Sequence, residues 1–163
     1  MTVRLTAASF EDAAAITDLF LAARRAAMPY LPELHAEADV RRWMEAVVLR
    51  KSQVVLAVSP ERLILGFAAV REGHLDHLYV APAEQGRGVG TWLLAAAQAN
   101  SPQGLRLFVF QRNLRARAFY ERHGFRLLEL RDGSQNEQRE PDAVYEWRRS
   151  AARAPIHPRR KLH

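Results

Sequence analysis

Between a β-rich segment that ends at Leu78-Tyr79-Val80-Ala81-Pro82 and a helical stretch at Thr91–Ala99 stand the six residues Gln85-Gly86-Arg87-Gly88-Val89-Gly90. Three glycines in five positions let the backbone turn sharply and come close to a ligand. The first amides of a helix have no acceptor of their own, and the helix dipole adds partial positive charge there, so such a loop suits a phosphate. Arg87 offers a guanidinium for a further charge-assisted bond. A Gly-rich turn without any ligand is the alternative. Two familiar phosphate loops are excluded. No Gly-Lys-Ser/Thr follows, and Thr91 stands where the third glycine of G-x-G-x-x-G belongs.

Around this loop the apolar period changes several times. Val3, Leu5 and Ala7 alternate with Arg4 and Thr6 as in a strand. Ser9 with Asp12 forms a weak capping box before a helix that carries Ile16, Leu19, Phe20, Ala23 and Ala27 to about Met28, where Pro29 and Pro32 stop it. Asp39 is expected to cap a second helix with a stripe at Val40, Trp43, Met44 and Val47. Residues 53–80 read as a three-strand antiparallel meander, with turns at Ser59–Arg62 and Glu72-Gly73. After the loop and its helix come a strand at Leu105–Phe110 and a helix at Asn113–His123 closed by Gly124. Two further strands are expected at Phe125–Leu130 and Ala143–Arg148. The order is β-α-α-β-β-β-α-β-α-β-β, a mixed α/β sheet fold.

Composition narrows the class. A length of 163 residues suits one domain, expected over 1–149. With no cysteine there is no disulfide scaffold, thiol nucleophile or thiolate zinc site. No apolar run nears the ~20 residues of a membrane span and no signal peptide is visible, which points to a cytoplasmic protein. Residues 150–163 hold Arg153, Arg159, Arg160 and Lys161 and no acid, four of the six net positive charges. That tail is expected to be disordered. The part before it is close to neutral, so nucleic acid is not the expected partner.

Gln85, Gly88 and Gly90 match Q/R-x-x-G-x-G/A, the pyrophosphate loop of the GNAT acetyltransferase superfamily. One helix and one strand later, Asn113-Leu114-Arg115-Ala116-Arg117-Ala118-Phe119-Tyr120-Glu121-Arg122-His123-Gly124-Phe125 resembles that family's N-x-x-A-x-x-F-Y-x-x-x-G-F segment. Leu78–Pro82 is similar to the strand before the loop. The resemblance covers roughly residues 3–149, with specific motifs only over about 74–125. It implies a mostly antiparallel central sheet flanked by helices, whose fourth and fifth strands splay apart around acetyl-CoA. Leu78, Tyr79 and Val80 then face the pantetheine. Gln85, Gly86, Arg87, Gly88, Val89, Gly90 and Thr91 face the pyrophosphate, with Asn113 touching the same cosubstrate.

The activity implied is direct transfer of an acetyl group to a primary amine of a small molecule or protein. It needs a neutral amine, a donor for the developing oxyanion and a proton for the departing thiolate. By resemblance the oxyanion donor is the backbone N–H of Val80 and the acid is Tyr120, a phenol that stays protonated at neutral pH. Packing is the alternative for Tyr120, and helix capping the alternative for Asn113. For the base, His74, Asp76 and His77 crowd one strand; strict alternation would put His74 and Asp76 on one face and His77 on the other. They could equally be polar residues of a half-exposed strand, and as a metal set they lack a third well-spaced ligand.

Tyr30, His35, Trp43, Glu137, Glu140, Asp142 and Tyr145 fall where the family builds its acceptor side, and acids there could hold a cationic amine. Trp43 also fits the apolar stripe of its helix. The expected partners are acetyl-CoA and an amine, and the chain would be a monomer or homodimer. The rival reading is a GNAT-like binding module without catalysis that uses its basic tail.

Overall fold

In the computed structural model residues 2–149 are described, and the tail expected to be disordered lies outside them. A seven-stranded sheet runs in the order β1-β2-β3-β4-β5-β7-β6. Its strands are β1 (Arg4–Ala7), β2 (Gln53–Val58), β3 (Ile64–Arg71), β4 (His74–Val80), β5 (Leu105–Phe110), β6 (Arg126–Arg131) and β7 (Asp142–Trp147). Every neighbouring pair is antiparallel except β4 and β5, which are parallel. The order and mostly antiparallel sheet agree with the expectation.

Helices cover both faces. On one lie α1 (Ala13–Ala27) and α2, which runs as an α-helix over Glu37–Trp43, a π turn over Met44–Val48 and a last turn at Leu49–Lys51. On the other lie α3 (Val89–Ala99) and α4 (Leu114–Arg122). The α1/α2 layer buries Ile16, Leu19, Phe20, Ala23, Met44 and Val48 against Val54, Leu56, Phe67 and Ala69. The α3/α4 layer buries Val89, Leu93, Leu94 and Tyr120 against Leu75, Leu105, Leu107 and Tyr145. Strand β2 feeds both layers, which is why its sequence is a continuous apolar run and not an alternation.

Two local readings change. Asp39 is not a cap: the helix starts at Glu37 behind Ala36, and Asp39 sits in the first turn paired with Arg42. A carboxylate there still suits the helix dipole. The π turn also shifts the apolar stripe, so Val48 fills the core while Val47 is half-exposed.

Leu93 is fully buried between the sheet and α3. Leu93→Ala should lower unfolding free energy by about 2–5 kcal/mol in a denaturant titration, because the cavity cannot collapse in a packed core. Leu63→Ala, at an exposed turn position, should change it by no more than about 0.5 kcal/mol.

Candidate active site

Strands β4 and β5 share a single pair, His74 with Arg106, and then part. On its other side β4 remains paired with β3 as far as Val80, opposite Gly66. The amide of Ala81 bonds Leu65 O at 2.8 Å. Successive amides of a strand point to opposite sides, so those of Val80 and Leu78 turn toward the gap that β5 leaves. The gap leads to the Gly-rich loop. Gly86 and Gly88 have φ of +79° and +84°, and a Cβ on either would meet nothing within 4 Å. The left-handed backbone explains glycine at both positions. Gly88 sits at the N-cap of α3, its carbonyl taking the first helical bond from Trp92 at 3.1 Å.

Together these elements enclose a groove of about 370 Å³. Leu78, Tyr79, Val80, Gln85, Gly86, Gly88, Val89, Gly90, Thr91 and Asn113 all lie on its walls. Arg87 does not: its side chain is turned out, with Nη1 3.5 Å from Glu84. Two cations that the sequence reading did not assign do line it, Arg115 and Arg122 on α4. Their spacing of seven, with Phe119 between, is two helical turns on one face, and that was the available signal. Ala23, Ala27 and Met28 of α1 close the far wall.

Asn113 caps α4, its Oδ1 accepting from the amide of Ala116 at 3.2 Å, and still faces the groove. Tyr120 is 9% exposed and packs edge-on against Phe119 and Phe125, with ring centroids 5.3 and 5.4 Å away. Its neighbours Ala116 and Phe119 form the groove wall in its place. Burial pushes its phenol well above the usual tyrosine range, and the nearby Tyr79 adds to this. The hydroxyl therefore keeps its proton across the neutral range.

The β4 candidates are arranged differently from strict alternation. Ala69 pairs with His77 but Val70 pairs with Leu75, so Asp76 is an extra residue in a β-bulge. The slip puts Leu75 on the same core layer as Leu78 and Val80, and returns His74 and His77 to one face. His74 packs on Phe108 at 4.9 Å, and its Nδ1 is 3.3 Å from Asp76 Oδ1 without hydrogen-bond geometry. Asp76 also reaches Arg71 at 3.4 Å. His77 is ringed by Phe20, Trp43 and Tyr79 at 5.9, 5.2 and 6.3 Å. Burial lowers its pKa to about 4, only partly opposed by Asp76.

A second cavity of about 310 Å³ adjoins the groove, with Met28 in both walls. It collects His35 and Glu137 from the expected acceptor set, His35 Nε2 standing 3.1 Å from both carboxylate oxygens. The other expected residues point elsewhere. Glu140 is paired with Arg112 at 2.9 Å, and that ion pair holds its pKa down. Asp142 accepts two 2.7 Å bonds from Arg131, which likewise lower its pKa. Tyr30 lies under the Arg112 guanidinium at 4.0 Å. Tyr145 is buried below α4, donating to Glu121 at 2.7 Å and accepting from Arg117 at 3.1 Å. Trp43 packs on Phe20 and His77 in the core.

The folded state holds His77 near pKa 4 against 6.5 in the unfolded chain, so it favours the neutral ring. Its contribution is constant above pH 6.5 and is lost as pH falls from there toward 4, up to about 3 kcal/mol. Denaturant titrations of the wild type and His77→Gln should therefore diverge in slope against pH across that window. Parallel curves would show that the ring is not desolvated.

Residues 50–127 match the family model described as an acetyltransferase (GNAT) domain. The peptidyl-lysine N-acetyltransferase YiaC of Escherichia coli K12 is 34% identical over 85 residues, 52% of this chain and 56% of that protein. The chain thus spans little more than half the length of that relative. The solution structure of apo YjaB from E. coli superposes with a TM-score of 0.75 at 20% identity, covering 90% of this chain and 97% of that one. The PaiA N-acetyltransferase of Thermoplasma acidophilum, solved with coenzyme A, superposes at 0.70 and 17% identity, covering 91% and 100%. Loop, parted strands and sheet order agree with the family match: residues 50–127 carry a GNAT acetyltransferase domain, within a fold shared with these solved structures.

Proposed function

We propose that the chain is an acetyl-CoA-dependent N-acetyltransferase that moves the acetyl group directly to a primary amine. The observation that carries this is the parting of β4 from β5 into a groove that ends on left-handed Gly86 and Gly88 at the start of α3. An extended chain with amides fits an unpaired strand edge, and a pyrophosphate fits amides at a helix start. Leu78, Tyr79 and Val80 are assigned to the pantetheine arm and the loop from Gln85 to Thr91, by its amides, to the pyrophosphate. Arg115 and Arg122 supply the groove's cationic side chains in place of Arg87.

Direct transfer asks three things of these residues. The gap-facing amide of Val80 is assigned as the donor for the developing oxyanion. Tyr120, directly behind the wall formed by Ala116 and Phe119, is assigned as the acid for the departing thiolate; burial keeps it protonated and, by raising its pKa, also weakens it as a donor. The acceptor's proton is assigned to the bulged set His74, Asp76 and His77, reached through water since none of the three lines the groove or the cavity beside it; within the set His77 is neutral at pH 7 but weakened as a base by its low pKa.

Two variants test the reading. Gly88→Val places a branched side chain at a left-handed position that lines the groove. It should abolish calorimetric binding of acetyl-CoA; unchanged affinity in the folded variant would overturn the loop assignment. Tyr120→Phe should lower turnover by about 10²–10⁴ while leaving acetyl-CoA affinity intact. Full turnover with chemistry rate-limiting would make Tyr120 a packing residue only.

A further inference from the structure

The cavity beside the groove is small, at about 310 Å³ near the low end for small-molecule sites of roughly 300–1,000 Å³. Phe20, Met28, Leu31 and Val40 give it apolar walls. His35 and Glu137 bridge its outer side, joining the α1–α2 loop to the β6–β7 loop. Arg25 is paired with Glu33 and with Glu37, and the Glu137 carboxylate lies within hydrogen-bond distance of His35 Nε2. Arg24 stands apart. It is half-buried on α1, lies 5.8 Å over the Phe20 ring, and makes no ion pair or side-chain hydrogen bond among the described residues. Its charge also reaches β4, where it lowers the pKa of both His77 and Tyr79 against the effect of burial on the latter. Tyr79 lines the groove and Phe20, which lines the cavity, packs edge-on against it at 5.0 Å. Arg24 thus lines the cavity one helical turn before Met28, the residue shared by the walls of cavity and groove.

We propose that this cavity takes an amine with a carboxylate beside it, an apolar α-amino acid being the simplest case, and that Arg24 holds the carboxylate. The inference rests on the acetyl-transfer reading above and names its acceptor class. An unpaired guanidinium with five fixed donors is built for a carboxylate and repels a polyamine or a cationic peptide. In an α-amino acid one carbon separates carboxylate and amine, so a carboxylate held at Arg24 keeps the amine close to Met28, where cavity and groove adjoin. The amine of a lysine side chain lies several bonds further from any carboxylate of its own residue. The apolar walls then take the side chain.

The test compares acetyl transfer to L-leucine, L-methionine and L-phenylalanine with transfer to their methyl esters and to Nα-blocked lysine amide. Free acids should exceed their esters in kcat/KM by about 10–100-fold, the worth of one charge-assisted pair. Esterification makes the amine less basic and more often neutral, so amine reactivity alone would favour the esters. Arg24→Gln should erase the preference while calorimetric acetyl-CoA affinity stays unchanged. A readout without turnover is L-leucine binding to the coenzyme A-saturated protein, expected for the wild type and lost in Arg24→Gln. If acetyl-CoA binds but esters or blocked lysine react as well as free acids, or if Arg24→Gln keeps the preference, the carboxylate proposal is overturned and the acetyl-transfer reading stands. If acetyl-CoA is neither bound nor consumed, both fall.

Discussion

Hydrogen bonds that β4 does not make govern the site. After the His74–Arg106 pair, β5 diverges, and the β4 amides beyond it have no partner on that side. Backbone donors and acceptors buried without partners are costly, so an opened strand edge persists only where water or a ligand reaches it. The groove provides that access. Phe119 of α4 and Val80 of β4 both lie 3.6 Å from where a Cβ on Gly90 would stand, at the start of α3. The N-terminus of α3, the face of α4 and the end of β4 thus meet at one point, so the loop amides and the parted edge are set by the same contacts.

A second organising constraint is the pairing of charges around the neighbouring cavity. Five acids each have a partner: Glu33 and Glu37 in Arg25, Glu137 in His35, Glu140 in Arg112 and Asp142 in Arg131. Exposed pairs of this kind add little stability individually. Their larger consequence is electrostatic, because carboxylates paired with arginine lose much of their pull on a cation, whereas the unpaired Arg24 can select an anion. The Arg131–Asp142 pair is the most enclosed of the set and gains a further 3.2 Å bond from Asn136, which ties the β6–β7 loop to the strand it precedes.

The bulge at Asp76 shows how one extra residue changes chemistry. It moves Leu75 into the α3/α4 layer and places His74 and His77 on one face. His77 then enters an aromatic ring of Phe20, Trp43 and Tyr79, and loses basicity through desolvation. His74 stays at the closed end of the strand pair, against Phe108.

Local patterns carried much of this architecture. Helical and strand periods placed the elements in order, because each buries one stripe or face on the sheet and that stripe is written in the spacing of Ile16, Leu19 and Phe20 or in the run of β2. The glycine loop was legible for the same reason: left-handed backbone at Gly86 and Gly88 restricts the residue type directly. What the sequence could not show depends on neighbours distant in the chain. Arg87 and Arg122 are alike as residues, yet the first turns outward beside Glu84 and the second faces the groove, since only the packing of α4 against α3 decides it. A bulge leaves no mark in composition, so the facing of His74 and His77 emerged only from the register of β3 on β4. Whether an acid is free or spent is likewise a matter of which arginine the fold brings to it. Local steric rules are visible residue by residue, whereas partnerships across the sheet exist only once the chain has closed.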